Sequence, residues 1–199
     1  MHYGIGPNGA LLRKLTMWNL PNILTLSRIF VIPVLVASFF MEQPFGSHLA
    51  FILFALAGIT DFFDGYLARA TKSVSKIGQF LDPIADKLMV GAVIILVVYA
   101  QWVDGLHVVA AVIIMCRELL VSGLREFLAG AQVSVPVSML AKWKTTVQMV
   151  ALGALVWSEG APEFGIPAHE IGLALLWVAA VLTLYTGIDY LRAGLKHMV

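Results

Sequence analysis

Four aspartates, Asp61, Asp64, Asp82 and Asp86, stand at the ends of two segments otherwise apolar enough to cross a bilayer. An ionised carboxylate at membrane depth costs roughly 2.5–3.5 kcal/mol on insertion scales, so four converging acids demand compensation. Asp61 and Asp64 are three residues apart and Asp82 and Asp86 four apart, which puts each pair on one face of its own helix. A short polar turn joins the two helices antiparallel and sets the acidic faces against each other. Mg²⁺ or Mn²⁺ is the natural partner, because hard divalent cations favour oxygen ligands and keep positions open for phosphate oxygens. Gly65, Ala68 and Gly78 leave a wall without bulky side chains beside the carboxylates, and Arg69 adds positive charge at the rim. The bland alternative is an ion-pair network with Arg69 and Lys87, which leaves acid uncompensated. For Asp82 alone, an N-cap ahead of Pro83 at the first helical position would account for its presence.

The whole chain carries the same signal. With 60% hydrophobic and 13% charged positions in 199 residues, it is too apolar for an ordinary soluble domain. The fold expected is an all-α integral membrane protein of six transmembrane helices plus an N-terminal interfacial helix. A net charge of +1 says little about an acidic partner, and no nucleic acid is expected. Cys116 excludes an intramolecular disulfide and reads as a small packing residue. No cleavable signal peptide is evident, since the first apolar run starts near Pro21 and is too long for a signal core.

Residues 1–20 read as an amphipathic segment on the membrane surface, followed by one domain over 21–199. The spans are expected near 21–41, with a kink at Pro33, and near 48–69, 83–101, 107–128, 139–158 and 169–192, each about the 20 residues a crossing needs. Arg13, Lys14, Lys72, Lys76, Lys142, Lys144, Arg192 and Lys196 fall on one set of connections and termini; Glu42, Asp104, Glu159, Glu163 and Glu170 fall on the other. The positive-inside bias therefore puts both termini and the aspartate turn in the cytoplasm. The aspartates then border a cavity just below the cytoplasmic headgroups, open to a soluble molecule from one side and a lipid from the other.

Thr25 and Arg28 stand out in the first span, where Arg28 is read either as a ligand or as snorkelling to the headgroups. Arg117 and Arg125, eight residues apart on the fourth span, can share a face. Lys142 and Lys144 open the fifth, and on a regular helix only one of them aims inward. Adjacent helical residues do not face each other, so Arg117 and Glu118 are not expected to pair. Asp189 and Arg192 read as a surface pair, and the scattered histidines His2, His48, His107, His169 and His197 form no metal set. Two metal ions beside a positive pocket suit phosphoryl transfer out of a diphosphate, and Asp86, deepest along its span, is the candidate to take the acceptor's proton.

The run Asp61-x-x-Asp64-Gly65-x-x-Ala68-Arg69, eight residues, Gly78-x-x-x-Asp82-x-x-x-Asp86 resembles the signature of the CDP-alcohol phosphotransferase family of membrane enzymes. The resemblance implies two divalent cations on Asp61, Asp64, Asp82 and Asp86, with Asp86 as proton acceptor. It implies that Asn22, Thr25, Gly65, Ala68, Arg69, Ser75 and Gly78 border a CDP-linked lipid. The segments PNILTLSR, CRELLVSGLRE and KWKTTVQM are similar to the branch of the family that joins CDP-diacylglycerol to glycerol 3-phosphate, giving phosphatidylglycerophosphate and CMP. On that resemblance Arg117, Arg125, Lys142 and Lys144 would hold the acceptor's phosphate, and the enzyme would be a homodimer. Related acceptors (inositol phosphate, serine or a phosphatidyl lipid) are the alternative. A divalent-cation transporter is a further one, though no inverted repeat or broken span supports it.

Overall fold

A computed structural model describes residues 20–71, 76–130 and 139–195. The interfacial segment at 1–19, Ser75 and Lys72 of the aspartate turn, and the C-terminal Lys196 and His197 lie outside these residues. So do the side chains of Asn22, Asp64, Gly65, Ala68, Arg69 and Asp82, whose backbones are helical.

Among the described residues six α-helices follow one another: α1 (Leu20–Ser38), α2 (Phe45–Thr71), α3 (Lys76–Tyr99), α4 (His107–Gly130), α5 (Met139–Val156) and α6 (Ala168–Leu195). A 3₁₀ turn, η1 (Ala161–Phe164), leads into α6. Among the described residues there is no strand. In an apolar solvent backbone groups must be satisfied within the segment, which favours continuous helices of this kind.

α1 packs on both α2 and α3, while α6 packs on both α4 and α5; α2 on α5 and α3 on α4 and α5 join the two sets. The seam within the second set is close. A Cβ on Gly172 would meet Leu155 at 2.8 Å, so only glycine lets α5 and α6 approach there. The interior is Leu35, Phe54, Val93, Val97, Ile114, Leu152, Leu155 and Leu176, all under 4% exposed. Large apolar side chains such as Phe30, Ile52, Ile95, Val112, Val150 and Val181 face outward on every helix. An outer belt of this kind marks a membrane protein, in which lipid covers it. α4 and α6 are each long and apolar enough to cross a bilayer, and the apolar runs of α1 and α2 are shorter.

Three local expectations are corrected: the Asp82 cap, the packing of Cys116 and the Asp189–Arg192 pair. α3 starts at Lys76, so Pro83 lies inside the helix and Asp82 is not its N-cap; a proline inside a membrane helix removes one backbone donor, a loss that neighbouring groups can absorb. α1 likewise continues as one helix through Pro33. Cys116 is exposed on α4 rather than packed in the core, and Asp189 and Arg192, both exposed, form no ion pair among the described residues.

The three connections that carry acids meet at one end of the bundle. Ser47 Oγ donates to Val156 O at 2.7 Å, tying the start of α2 to the end of α5. Trp157 Nε1 donates to His48 Nδ1 at 2.9 Å, leaving His48 Nε2 to donate to Glu163 Oε2 at 3.0 Å. Trp102 Nε1 donates to Glu159 Oε1, and His169 Nε2 sits 2.9 Å from Trp102 O. His48 and His169 thus act as hydrogen-bonding clasps, a use the sequence pattern does not disclose.

Candidate active site

Arg28 stands one turn after Thr25 on α1, and both are buried. Its Nη1 donates to Asp86 Oδ1 of α3 at 2.7 Å and also binds Asp61 Oδ1 of α2. Arg28 therefore does not snorkel; it is the buried hub between two helices that both pack on α1. The carboxylates themselves are half-exposed, at 44% for Asp61 and 51% for Asp86, so each keeps an open side.

Two carboxylate oxygens from different helices meet one cationic atom, and this bears directly on metal binding. A point where hard oxygens converge on positive charge fits a hard divalent cation. Among the described residues no group of three or more His, Cys, Asp or Glu gathers. The other two expected ligands, Asp64 and Asp82, are among those whose side chains are not described.

A second polar cluster lies between α4, α5 and α6. Arg117 Nη1 donates to Glu118 Oε1 at 3.1 Å, Arg117 Nη2 donates to Thr186 Oγ1 at 3.1 Å, and Lys144 Nζ binds the same Glu118 oxygen. Lys144 is 3% exposed whereas Lys142 faces out, so Lys144 is the inward lysine of the pair. Arg117 and Glu118 do pair, against expectation, because their long side chains bend toward each other from neighbouring positions. Arg125 lies over the Tyr190 ring at 5.8 Å. Thr186 and Tyr190 are one turn apart on α6, so both arginines lean on one face of that helix. Sequence reasoning missed the role of Glu118; an acid close to the four bases of CRELLVSGLRE and KWKTTV was the available signal.

Lys87, the residue after Asp86, is within Coulombic range of Asp86, Glu118 and Lys144, so the acidic and basic clusters are electrostatic neighbours. Between α3 and α4 beside it runs an apolar groove of about 370 Å³, lined by Pro83, Ile84, Lys87, Leu119, Ser122 and Glu126 among others. Asp61 is 16 residues beyond Phe45 and Asp86 is 13 before Tyr99. At 1.5 Å per residue they lie roughly 20–24 Å from the clasped end, in the far half of the bundle.

Paired carboxylates and, nearby, paired cations inside a bundle of apolar-faced helices have the chemistry to handle phosphate groups together with a divalent cation. The chain belongs to the CDP-alcohol phosphatidyltransferase family, whose model matches residues 18–185. Members of this family are generally dependent on divalent cations. The chain is similar to the CDP-diacylglycerol–glycerol-3-phosphate 3-phosphatidyltransferase of Rickettsia bellii, 49% identical over 90% of this chain and 97% of that one. Proteins of the same name from Cereibacter sphaeroides and Haemophilus influenzae are each 38% identical, covering 91% and 89% of this chain and 97% and 94% of theirs.

Proposed function

We propose that this chain transfers the phosphatidyl group of CDP-diacylglycerol to sn-glycerol 3-phosphate, releasing CMP and contributing phosphatidylglycerophosphate to phospholipid synthesis. The observation that carries the reading is the convergence of Asp61 and Asp86, from two helices, on one buried positive centre. The acceptor hydroxyl oxygen bonds to the phosphorus that bears diacylglycerol, the bond from that phosphorus to the CMP oxygen breaks, and the hydroxyl proton passes to Asp86. Asp61, Asp64, Asp82 and Asp86 would hold two Mg²⁺ or Mn²⁺ ions, which when bound offset charge on the diphosphate. Asn22, Thr25, Gly65, Ala68, Arg69, Ser75 and Gly78 border the CDP lipid.

Arg117 and Lys144 hold the acceptor's phosphate, and their inward convergence supports an anionic acceptor. Arg125 and Lys142, both exposed, draw that anion in by their field rather than by contact. The clasped, acid-bearing end supports a topology of six crossings over 21–199, with both termini and the site on the cytoplasmic side of a bacterial inner membrane. Residues 1–20 then lie on that surface. Resemblance to the family supports a homodimer.

Purified protein given CDP-diacylglycerol and a panel of labelled acceptors, scored for CMP release, tests this. Glycerol 3-phosphate is expected to be the acceptor used; turnover with inositol phosphate, serine or a phosphatidyl lipid in its place would overturn the assignment.

A further inference from the structure

We infer that Glu118 is a positioning residue: the internal counter-ion that holds Arg117 and Lys144 convergent and ready for the acceptor's phosphate. The inference rests on reading those two cations as the acceptor site and assigns them a third partner.

The geometry is specific. A single oxygen, Glu118 Oε1, accepts from both Arg117 Nη1 and Lys144 Nζ, so the two cationic groups are no further apart than two hydrogen bonds laid end to end. Like charges so close, one on a lysine 3% exposed, repel unless an anion lies between them. Glu118 is that anion, and with its side chain 20% exposed it is itself largely withdrawn from water. The trio keeps one net positive charge.

The rest of the cluster fixes Arg117 independently. Its Nη2 is anchored on Thr186, whose hydroxyl in turn donates to Leu182 O at 2.8 Å. Its stem crosses α6 at Gly187, where an added Cβ would stand 3.0 Å from Arg117 Cγ. Among the described residues Lys144 has no such second anchor: Glu118 is its partner there. Losing the carboxylate therefore releases Lys144 more than Arg117.

Glu118 also leaves binding capacity. A guanidinium has five N–H donors and an ammonium three; Glu118 takes one from each, and Arg117 Nε is buried without a hydrogen-bond partner. A phosphate, with several acceptor oxygens, can use donors that the carboxylate does not consume. The same carboxylate would repel a phosphate if it stood alone, so its value lies in where it holds the cations.

The test is steady-state kinetics of Glu118→Gln, Glu118→Asp, Lys144→Ala and the Glu118→Gln/Lys144→Ala double variant, with thermal midpoints measured on the same samples. Glu118→Gln is expected to raise the KM for glycerol 3-phosphate about tenfold, with kcat and the KM for CDP-diacylglycerol within about twofold. Glu118→Asp, which keeps the charge, should fall between it and the parent. In the Lys144→Ala background, Glu118→Gln should add much less than it does alone, because it acts largely through that lysine. An equal rise in both KM values, a lowered thermal midpoint with unchanged KM values, or full additivity in the double variant would overturn the inference. If Lys144→Ala itself left the acceptor KM unchanged, the acceptor-site reading would fall and this inference with it. If Lys144→Ala raised it and Glu118→Gln did not, only the role of Glu118 would fall.

Discussion

Replacing Arg28 with alanine removes the one buried cation on which Asp61 and Asp86 meet. Taking away one partner of a fully buried ion pair costs about 3–5 kcal/mol. Here only the guanidinium is buried, and water reaches about half of each carboxylate, so screening brings the expected loss to about 2 kcal/mol. For a chain of this size that is a fall of about 4–8 °C in the unfolding midpoint. Arg28→Met, which keeps an apolar stem of similar length, separates charge from packing and should lose nearly as much. The assay is thermal unfolding of the protein in lipid nanodiscs, with chelator and with added Mg²⁺. A divalent cation supplies the missing charge between the same carboxylates, so Mg²⁺ should stabilise Arg28→Ala more than it stabilises the parent. A midpoint unchanged by the substitution in chelator, or an equal Mg²⁺ effect on both proteins, would refute the reasoning.

Asp86→Asn should retain CDP-diacylglycerol binding while lowering kcat at least 100-fold, in line with about 10²–10⁴ for a general base; near-normal turnover would remove Asp86 as proton acceptor. Lys144→Ala should raise the acceptor KM at least tenfold and Lys142→Ala about twofold or less, since only the first is buried beside Glu118; equal effects would undo the assignment of the inward lysine. Gly172→Ala forces a methyl against Leu155, including its backbone nitrogen at 3.0 Å, and should destabilise the α5–α6 seam by about 1–3 kcal/mol without altering either KM; an unchanged midpoint would show that the seam yields.

Much of the architecture is legible from period and charge. The apolar runs coincide with the six helices to within a few residues except at α3, where an Asp-Pro start is read from a pair that lies inside the helix. Local capping preference there loses to the continuation of the helix back to Lys76. The site is legible in its acids because Asp61 and Asp86 sit where apolar side chains otherwise run. Their bond to Arg28 is not, because residues 33 and 58 positions apart meet only through tertiary packing. Periodicity does show that Lys142 and Lys144 diverge, yet which of them turns inward depends on where α5 faces α4 and α6. Glu118 escapes notice for a related reason: a neighbour rule for regular helices says nothing about two long side chains that reach a third residue together.

The most direct measurement of the central claim, that the paired carboxylates serve a cation gripping the nucleotide-activated lipid, is CMP release by the purified enzyme after exhaustive chelation and then on return of Mg²⁺ or Mn²⁺. Loss of activity on chelation and its recovery with either ion is the result expected. Undiminished CMP release in the chelated enzyme would contradict the account.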